Sequence, residues 1–261
     1  MLFKSIFMGS SRRTFLKKSA LFGLVGINPQ GSELIKEISL EKNAVFLFQG
    51  DSITDGNRGR NDDLNHIMGH GYAYAVASRI GADFPASNFQ FINRGISGNR
   101  VPDLLKRWKE DALDLHPQIL SLLVGINDVN AAINQYAGFQ SLEDFKYGYS
   151  SLIEQVKLQN PETLFVLGLP FVANGSRTKA NLNTFENAVK ERATFIKELA
   201  LEYNGLYIDY PSVFEKAYQQ QSIEYWIWDG VHPTVFGHEL MAREWIKVVS
   251  KRLPFLKKYK Y

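Results

Sequence analysis

The stretch Phe-Gln-Gly-Asp-Ser-Ile-Thr-Asp-Gly, residues 48–56, puts Ser52 directly after a short apolar run. Far along the chain, Trp-Asp-Gly-Val-His-Pro, residues 228–233, holds Asp229 and His232. Acyl transfer needs a hydroxyl nucleophile, an imidazole to take its proton and a carboxylate to fix the imidazole tautomer, and these two stretches supply all three. If Asp229 accepts a hydrogen bond from Nδ1 of His232, Nε2 is left to face Ser52. Gly230 between them allows the tight turn that this pairing requires.

A developing oxyanion also needs donors, and losing one typically costs about 2.7 to 4 kcal/mol of barrier. Asn127 offers a side-chain amide. Gly98 offers a backbone N–H where the lack of a Cβ permits close approach, and Ser52 offers its own N–H. Each feature also has a plainer reading. Gly-Asp-Ser after a strand is a common helix-capping turn, Asp229 and His232 suit a structural turn, and Gly98 and Asn127 carry ordinary loop chemistry. The Gly-x-Ser-x-Gly elbow of the α/β-hydrolases is absent. Among the other histidines, His116 reads as a surface residue before Pro117, and His238 as a residue on the exposed or packed side of the last helix. His66 and His70 fall in a polar loop, 57–71, with Arg58 and Arg60.

These residues need elements to bring them together. Ala44–Gln49, Phe89–Asn93, Ile119–Val124, Leu164–Leu169 and Leu206–Ile208 read as strands. Gly71–Ile80, Val101–Leu115, Leu142–Leu158, Leu182–Leu201 and Gly237–Val249 read as helices. Leu182, Phe185, Val189, Ile196 and Leu199 would form one apolar face. Alternation at this pace predicts an α/β domain, a parallel sheet of about five strands covered on both faces, spanning 40–261 without a linker. Ser52 follows the first strand, Ser97 and Gly98 the second, and Asn127 and Asp128 the third, while Asp229 and His232 precede the last helix. Ligands of open parallel sheets bind at the carboxyl ends of the strands, where these stretches would converge.

With all four stretches in view, the chain resembles the SGNH, or GDSL, hydrolase family. The matching blocks are Gly-Asp-Ser-Ile-Thr (Ser52), Asn-Arg-Gly-Ile-Ser-Gly-Asn (Gly98), Val-Gly-Ile-Asn-Asp-Val (Asn127) and Trp-Asp-Gly-Val-His-Pro-Thr (Asp229, His232). The resemblance covers residues 44–250. It implies a three-layer flavodoxin-like fold, no metal and no cofactor, Ser52 as nucleophile, His232 as base and then acid, and Asp229 as its orienter. It also implies an oxyanion hole from Ser52, Gly98 and Asn127. Arg107-Trp108 and the Gly-His of the last block are further similar to acetylxylan-esterase-like members. That branch would act on acetylated carbohydrate, with Trp226 and Trp228 as an aromatic wall, or merely packing for the last helix. Arg58 and His70 would be candidates for contact with sugar hydroxyls. A lysophospholipase or thioesterase, or a non-catalytic carbohydrate-binding protein on the same scaffold, stands as the alternative. A nucleotide-binding protein is more distant, because the first strand is not followed by a phosphate-cradling glycine loop.

Composition narrows the partners. The 261 residues carry a net charge of +3, but residues 1–30 hold five cations and no acidic residue, so the remainder stands at −2. That gives no reason to expect nucleic acid or an anionic membrane as partner. The early cations include Arg12 and Arg13 in Ser-Arg-Arg-Thr-Phe-Leu-Lys, ahead of a weakly apolar run, Ala20 to Ile27. This layout predicts a twin-arginine export signal over residues 1–30 and a periplasmic or extracellular destination; a retained basic arm is the other reading. The run is too short to anchor the chain as a membrane-spanning helix. Without cysteine, disulfides and thiol nucleophiles are excluded.

Overall fold

Five strands pair in parallel in the order β2-β1-β3-β4-β5: β1 Val45–Gly50, β2 Gln90–Asn93, β3 Ile119–Leu123, β4 Leu164–Gly168 and β5 Leu206–Ile208. This computed structural model describes residues 36–261, and Lys36–Tyr261 form one compact unit. The expected export segment lies outside the described residues. Among the described residues, no helix is long and apolar enough to cross a membrane.

Strand alternation divides the core in two. Phe46 and Phe48 of β1, Ile119 and Leu123 of β3, and Leu164 and Val166 of β4 face one side. There they meet Tyr72, Val76 and Ile80 of helix α2 (Tyr72–Asp83) and Met241, Trp245 and Ile246 of the last helix, Val235–Val249. Leu47, Leu120, Leu122, Phe165 and Leu167 face the other side. They pack against Leu104 and Trp108 of α3 (Val101–Asp111), Leu152 and Val156 of α5 (Leu142–Gln159), and Ile196 of α6 (Leu182–Glu202). Both buried tryptophans place their ring N–H: Trp108 donates to the Leu152 carbonyl and Trp245 to Ser121 Oγ, each at 3.0 Å. A layer of helices on each face of a parallel sheet in this order is the three-layer, flavodoxin-like arrangement that the sequence predicts.

Register sets the site. Gly50 pairs with Leu123, so β1 and β3 end level, while β2 ends at Asn93 opposite Phe48, with β1 in the middle. The chain leaves β1 for α2 on one face and leaves β2 for α3 on the other, which makes this end a topological switch point. A four-residue helix, α1 (Ser52–Asp55), starts immediately beyond β1. Gly50 makes that start possible: its φ is +154°, and a Cβ there would collide with the Leu123 carbonyl.

Several elements differ from expectation. A helix, α4 (Ile126–Ile133), follows β3 directly, where the sequence suggested only a stop at Gly-Ile-Asn-Asp. Gly125, at φ +140°, takes the chain from strand to helix in one step. Helices α7 (Tyr210–Ala217) and α8 (Ile223–Trp226) were not anticipated. The expected Val101–Leu115 helix ends at Asp111, and a separate 3₁₀ turn holds Leu113–Leu115. The last helix, α9, begins at Val235, capped by Thr234 Oγ1, which accepts from the Gly237 N–H.

Candidate active site

Ser52 is the first residue of α1. Asp51 caps this short helix: its Oδ1 accepts the Ile53 N–H at 3.0 Å. Opposite, a narrow reversal just before α9 is closed by an antiparallel bridge between Ile227 and Pro233 and by the Trp228 N–H donating to the His232 carbonyl. Gly230, at φ +95°, turns the chain inside it. The turn folds Asp229 inward, with a side chain only 1% exposed. Asp229 Oδ1 accepts the N–H groups of Val231 and His232 at 2.9 and 2.8 Å, and Oδ2 lies 2.7 Å from His232 Nδ1. The far ring nitrogen, Nε2, lies 2.9 Å from Ser52 Oγ. Ser52, His232 and Asp229 thus form one continuous hydrogen-bonded chain across 180 residues.

Burial alone would raise the Asp229 carboxyl, but the His232 bonds and the Val231 N–H outweigh it and hold the group below the usual carboxylate range. Asp229 therefore stays an anion at neutral pH, able to orient an imidazole and stabilise an imidazolium. Arg177 Nε also donates to Asp229 Oδ2 at 2.7 Å, and the Arg177 N–H donates to the Asp229 carbonyl at 3.0 Å. Sequence reasoning missed this residue; Ser-Arg-Thr-Lys reads as an ordinary solvated loop.

Gly98 and Asn127 belong to the same end of the sheet. Ile96 N–H donates to the Gly50 carbonyl at 3.1 Å, tying the Gly98 turn to the strand that delivers Ser52. Asn127, on the first turn of α4, donates from Nδ2 to the Asn99 carbonyl at 3.2 Å. Its second amide N–H is left for another acceptor.

The remaining candidates separate. Trp228 is 59% exposed and its ring lies nearly parallel to that of His232, 6.5 Å away. Trp226 instead turns into the core, its Nε1–H bonded to the Ala217 carbonyl at 3.0 Å. Arg58 is half-buried and donates from Nε to the Gly95 carbonyl at 2.9 Å, which makes it a brace between loops. It lines a cavity of about 460 Å³ with Arg60, Leu64, Ile67 and Arg94, and none of Ser52, Asp229 and His232 borders it. His70 is exposed, its ring 6.5 Å from that of His238. His238 is the packed one: its Nδ1 accepts the Tyr72 N–H at 3.2 Å, and burial, with His70 and His232 nearby, pushes its pKa down to about 3. Among the described residues, no group of three or more His, Asp or Glu side chains is arranged to hold a metal ion.

Fold and site together define a hydrolase of carboxylic esters, and comparison with known proteins places it further. Residues 48–240 match the GDSL-like Lipase/Acylhydrolase family. An acetylxylan esterase of Geobacillus stearothermophilus is 31% identical over 211 residues, covering 78% of this chain and 93% of that protein. Among solved structures, a GDSL-like lipase of Parabacteroides merdae superimposes with a TM-score of 0.76 at 32% identity, over 83% of this chain and all of the other. A variant of Axe2, an acetyl xylan esterase from Geobacillus stearothermophilus, gives 0.72 at 28% identity over 83% of this chain and 99% of its own. Three other Axe2 structures are of catalytic mutants, altered at a serine, an aspartate and a histidine. The chain belongs to the GDSL-like lipase/acylhydrolase family.

Two further carboxyls flank the site from beneath. Asp51 precedes Ser52 and Asp128 follows Asn127; each is buried and each leaves its Oδ2 without a hydrogen-bond partner. Burial pushes both pKa values up to about 7, against the hydrogen bonds each accepts. The folded state therefore holds protons that the unfolded chain, with carboxyls near 3.8, gives up, and stability drains as pH rises from about 4 to about 7. Asp128→Asn keeps the acceptor for the Val101 N–H and removes the titration. Thermal melts from pH 4 to 8 should show the variant gaining on the parent up to about pH 7 and holding level above it. Parallel curves would exclude a raised pKa at Asp128.

Proposed function

We propose that the protein removes small acyl groups, acetyl foremost, from carbohydrate hydroxyls, with Ser52 as nucleophile. The observation that carries this reading is the unbroken chain from Ser52 Oγ to His232 Nε2 at 2.9 Å and from His232 Nδ1 to Asp229 Oδ2 at 2.7 Å. Ser52 Oγ attacks the ester carbonyl while His232 Nε2 takes the hydroxyl proton. The charge that develops on the carbonyl oxygen is met by the N–H groups of Ser52 and Gly98 and the free amide proton of Asn127. Collapse of the tetrahedral species expels the sugar oxygen, which receives its proton from His232. Water, deprotonated by the same imidazole, then releases the acid and restores Ser52. The aspartate, histidine and serine altered in the Axe2 catalytic mutants are the three residue types joined here.

The acetyl-carbohydrate assignment draws on the acetylxylan esterase relative and on Trp228, whose exposed ring beside His232 offers a flat apolar face to a pyranose. A competing feature lies next to it. Tyr225 and Phe236, both partly exposed, stack with ring centroids 4.6 Å apart, and Val235 adds apolar surface. This patch gives the lysophospholipase or thioesterase reading a place for a long acyl chain. Arg12 and Arg13 ahead of the apolar run at 20–27 extend the proposal to export through the twin-arginine route.

Three measurements test these readings. Ser52→Ala should cut turnover of p-nitrophenyl acetate by about a thousandfold or more, and Asp229→Asn by about 10⁴-fold through the wrong imidazole tautomer; a folded Ser52→Ala protein with parental activity would dismiss Ser52 as nucleophile. Across p-nitrophenyl esters, kcat/KM should decline from acetyl to octanoyl, and a rise with chain length would transfer the assignment to the lipid-type reading. Replacing Arg12 and Arg13 by lysine should leave the protein in the cytoplasm of a host with twin-arginine export, as read by fractionation; unaltered export would remove that route.

A further inference from the structure

The Gly98 N–H is presented by a single four-residue turn. Asn99 N–H donates to the Ile96 carbonyl at 3.1 Å, Gly98 in the third position has φ +82°, and Ser97 in the second is not left-handed. That combination is a type II turn. Type I and type II turns differ by a flip of the central peptide, here the one joining Ser97 to Gly98, and the flip decides which side receives the Gly98 N–H. No Cβ clash restrains the turn at Gly98, whose surroundings are open. Something else must hold that peptide.

The side chain that anchors Ser97, the residue from which that peptide starts, is Asp55, the last residue of the helix that Ser52 begins. Its Oδ2 accepts both the Ser97 N–H at 2.9 Å and the Ser97 hydroxyl at 3.0 Å. Arg60 grips the same carboxylate with both Nη atoms, at 3.1 Å on Oδ1 and 2.7 Å on Oδ2, and the Arg58 N–H donates to Oδ1 at 3.0 Å. Asp55 is only 2% exposed, and a buried anion with five donors is locked in place. The backbone beneath is equally tight: Asn93 Nδ2 donates to the Thr54 carbonyl at 2.7 Å, its Oδ1 accepts the Gly95 N–H at 2.9 Å, and a Cβ on Gly95 would strike the Asp55 N–H.

We propose that Asp55 is a positioning residue for ester hydrolysis: by holding the N–H and hydroxyl of Ser97 it anchors the residue from which the central peptide of the 96–99 turn starts, and so constrains the aim of the Gly98 N–H relative to Ser52, one helical turn away. The inference rests on the roles proposed above for Ser52 and Gly98. Burial works to raise the Asp55 carboxyl, but the Arg60 pair, the Ser97 bonds and the Arg58 N–H prevail and hold it below its ordinary value, so the anchor stays charged at neutral pH.

Asp55→Asn preserves the shape but turns an amide N–H₂ toward donors. A misaimed oxyanion donor weakens the transition state and leaves ground-state binding alone, so kcat for p-nitrophenyl acetate should fall about 10- to 100-fold, short of the 10²–10³ for outright loss of a donor, with KM within about twofold. Affinity for a phenylboronic acid, which forms a tetrahedral adduct on a serine oxygen, should fall by the same factor as kcat/KM. Unchanged kcat and boronate affinity, or an activity loss matched only by the loss of folded protein, would overturn the proposal. If Asp55→Asn does not fold, Ser97→Ala decides, since Ser97 is exposed: kcat lower by about threefold or more at constant KM supports the anchor, and parental kcat refutes it. Ser52→Ala run in parallel keeps the two questions apart, because an active Ser52→Ala protein would sink the nucleophile assignment whatever Asp55 does.

Discussion

The bond between Ser52 Oγ and His232 Nε2 is the constraint on which the molecule depends, because nothing local enforces it. Its two atoms ride on opposite ends of the chain, and their separation of 2.9 Å is the sum of how α1 leaves β1 and how the 227–233 reversal enters α9. The second of these is fixed by packing. α9 buries Met241, Trp245 and Ile246 against Phe46, Phe48 and the helix that follows Ser52, and Trp245 is pinned to Ser121 on the central strand. His238, one turn into α9, takes the first N–H of α2. The imidazole therefore reaches Ser52 because the last helix closes the same layer that the first crossover helix opened.

The fold and the Asp229–His232 pairing were legible in the sequence for a common reason: both are written in short-range pattern. Apolar runs separated by helical periodicity marked all five strands, and Asp229-Gly230-Val231-His232 carries its geometry within four residues. The helices that were missed lack that signal. α4 is eight residues long and begins against the strand, so Gly125 read as a stop when it is a strand-to-helix joint. Contacts between distant loops were invisible altogether. Arg177 gives no hint that it shares Asp229 with His232, and the two tryptophans at 226 and 228 look equivalent until one turns inward to Ala217 and the other outward beside His232. Arg58, a candidate for contact with sugar hydroxyls from its place in the loop after Ser52, also braces Gly95 through its Nε. Nothing in the sequence around Asp55 marks that residues 58, 60 and 97 all donate to it.

Asp51, Asp55, Asp128 and Asp229 are buried at the Ser52 end of the sheet, and their partners sort them into two kinds. Asp229 and Asp55 each occupy both carboxylate oxygens with N–H and O–H donors, cationic ones included, and each stays ionised in spite of its burial. Asp51 and Asp128 each satisfy one oxygen with a backbone N–H and strand the other, and each holds its proton to near neutrality. Position explains the division. The ionised pair holds two groups in place, the imidazole of His232 and Ser97, the residue before Gly98. In the other pair, Asp51 accepts the Ile53 N–H where β1 turns into α1, and Asp128, on the first turn of α4, accepts the Val101 N–H at the start of α3. Below about pH 7 burial favours the neutral acid at both, so neither Asp51 nor Asp128 adds a full negative charge next to Ser52 and Asn127 there.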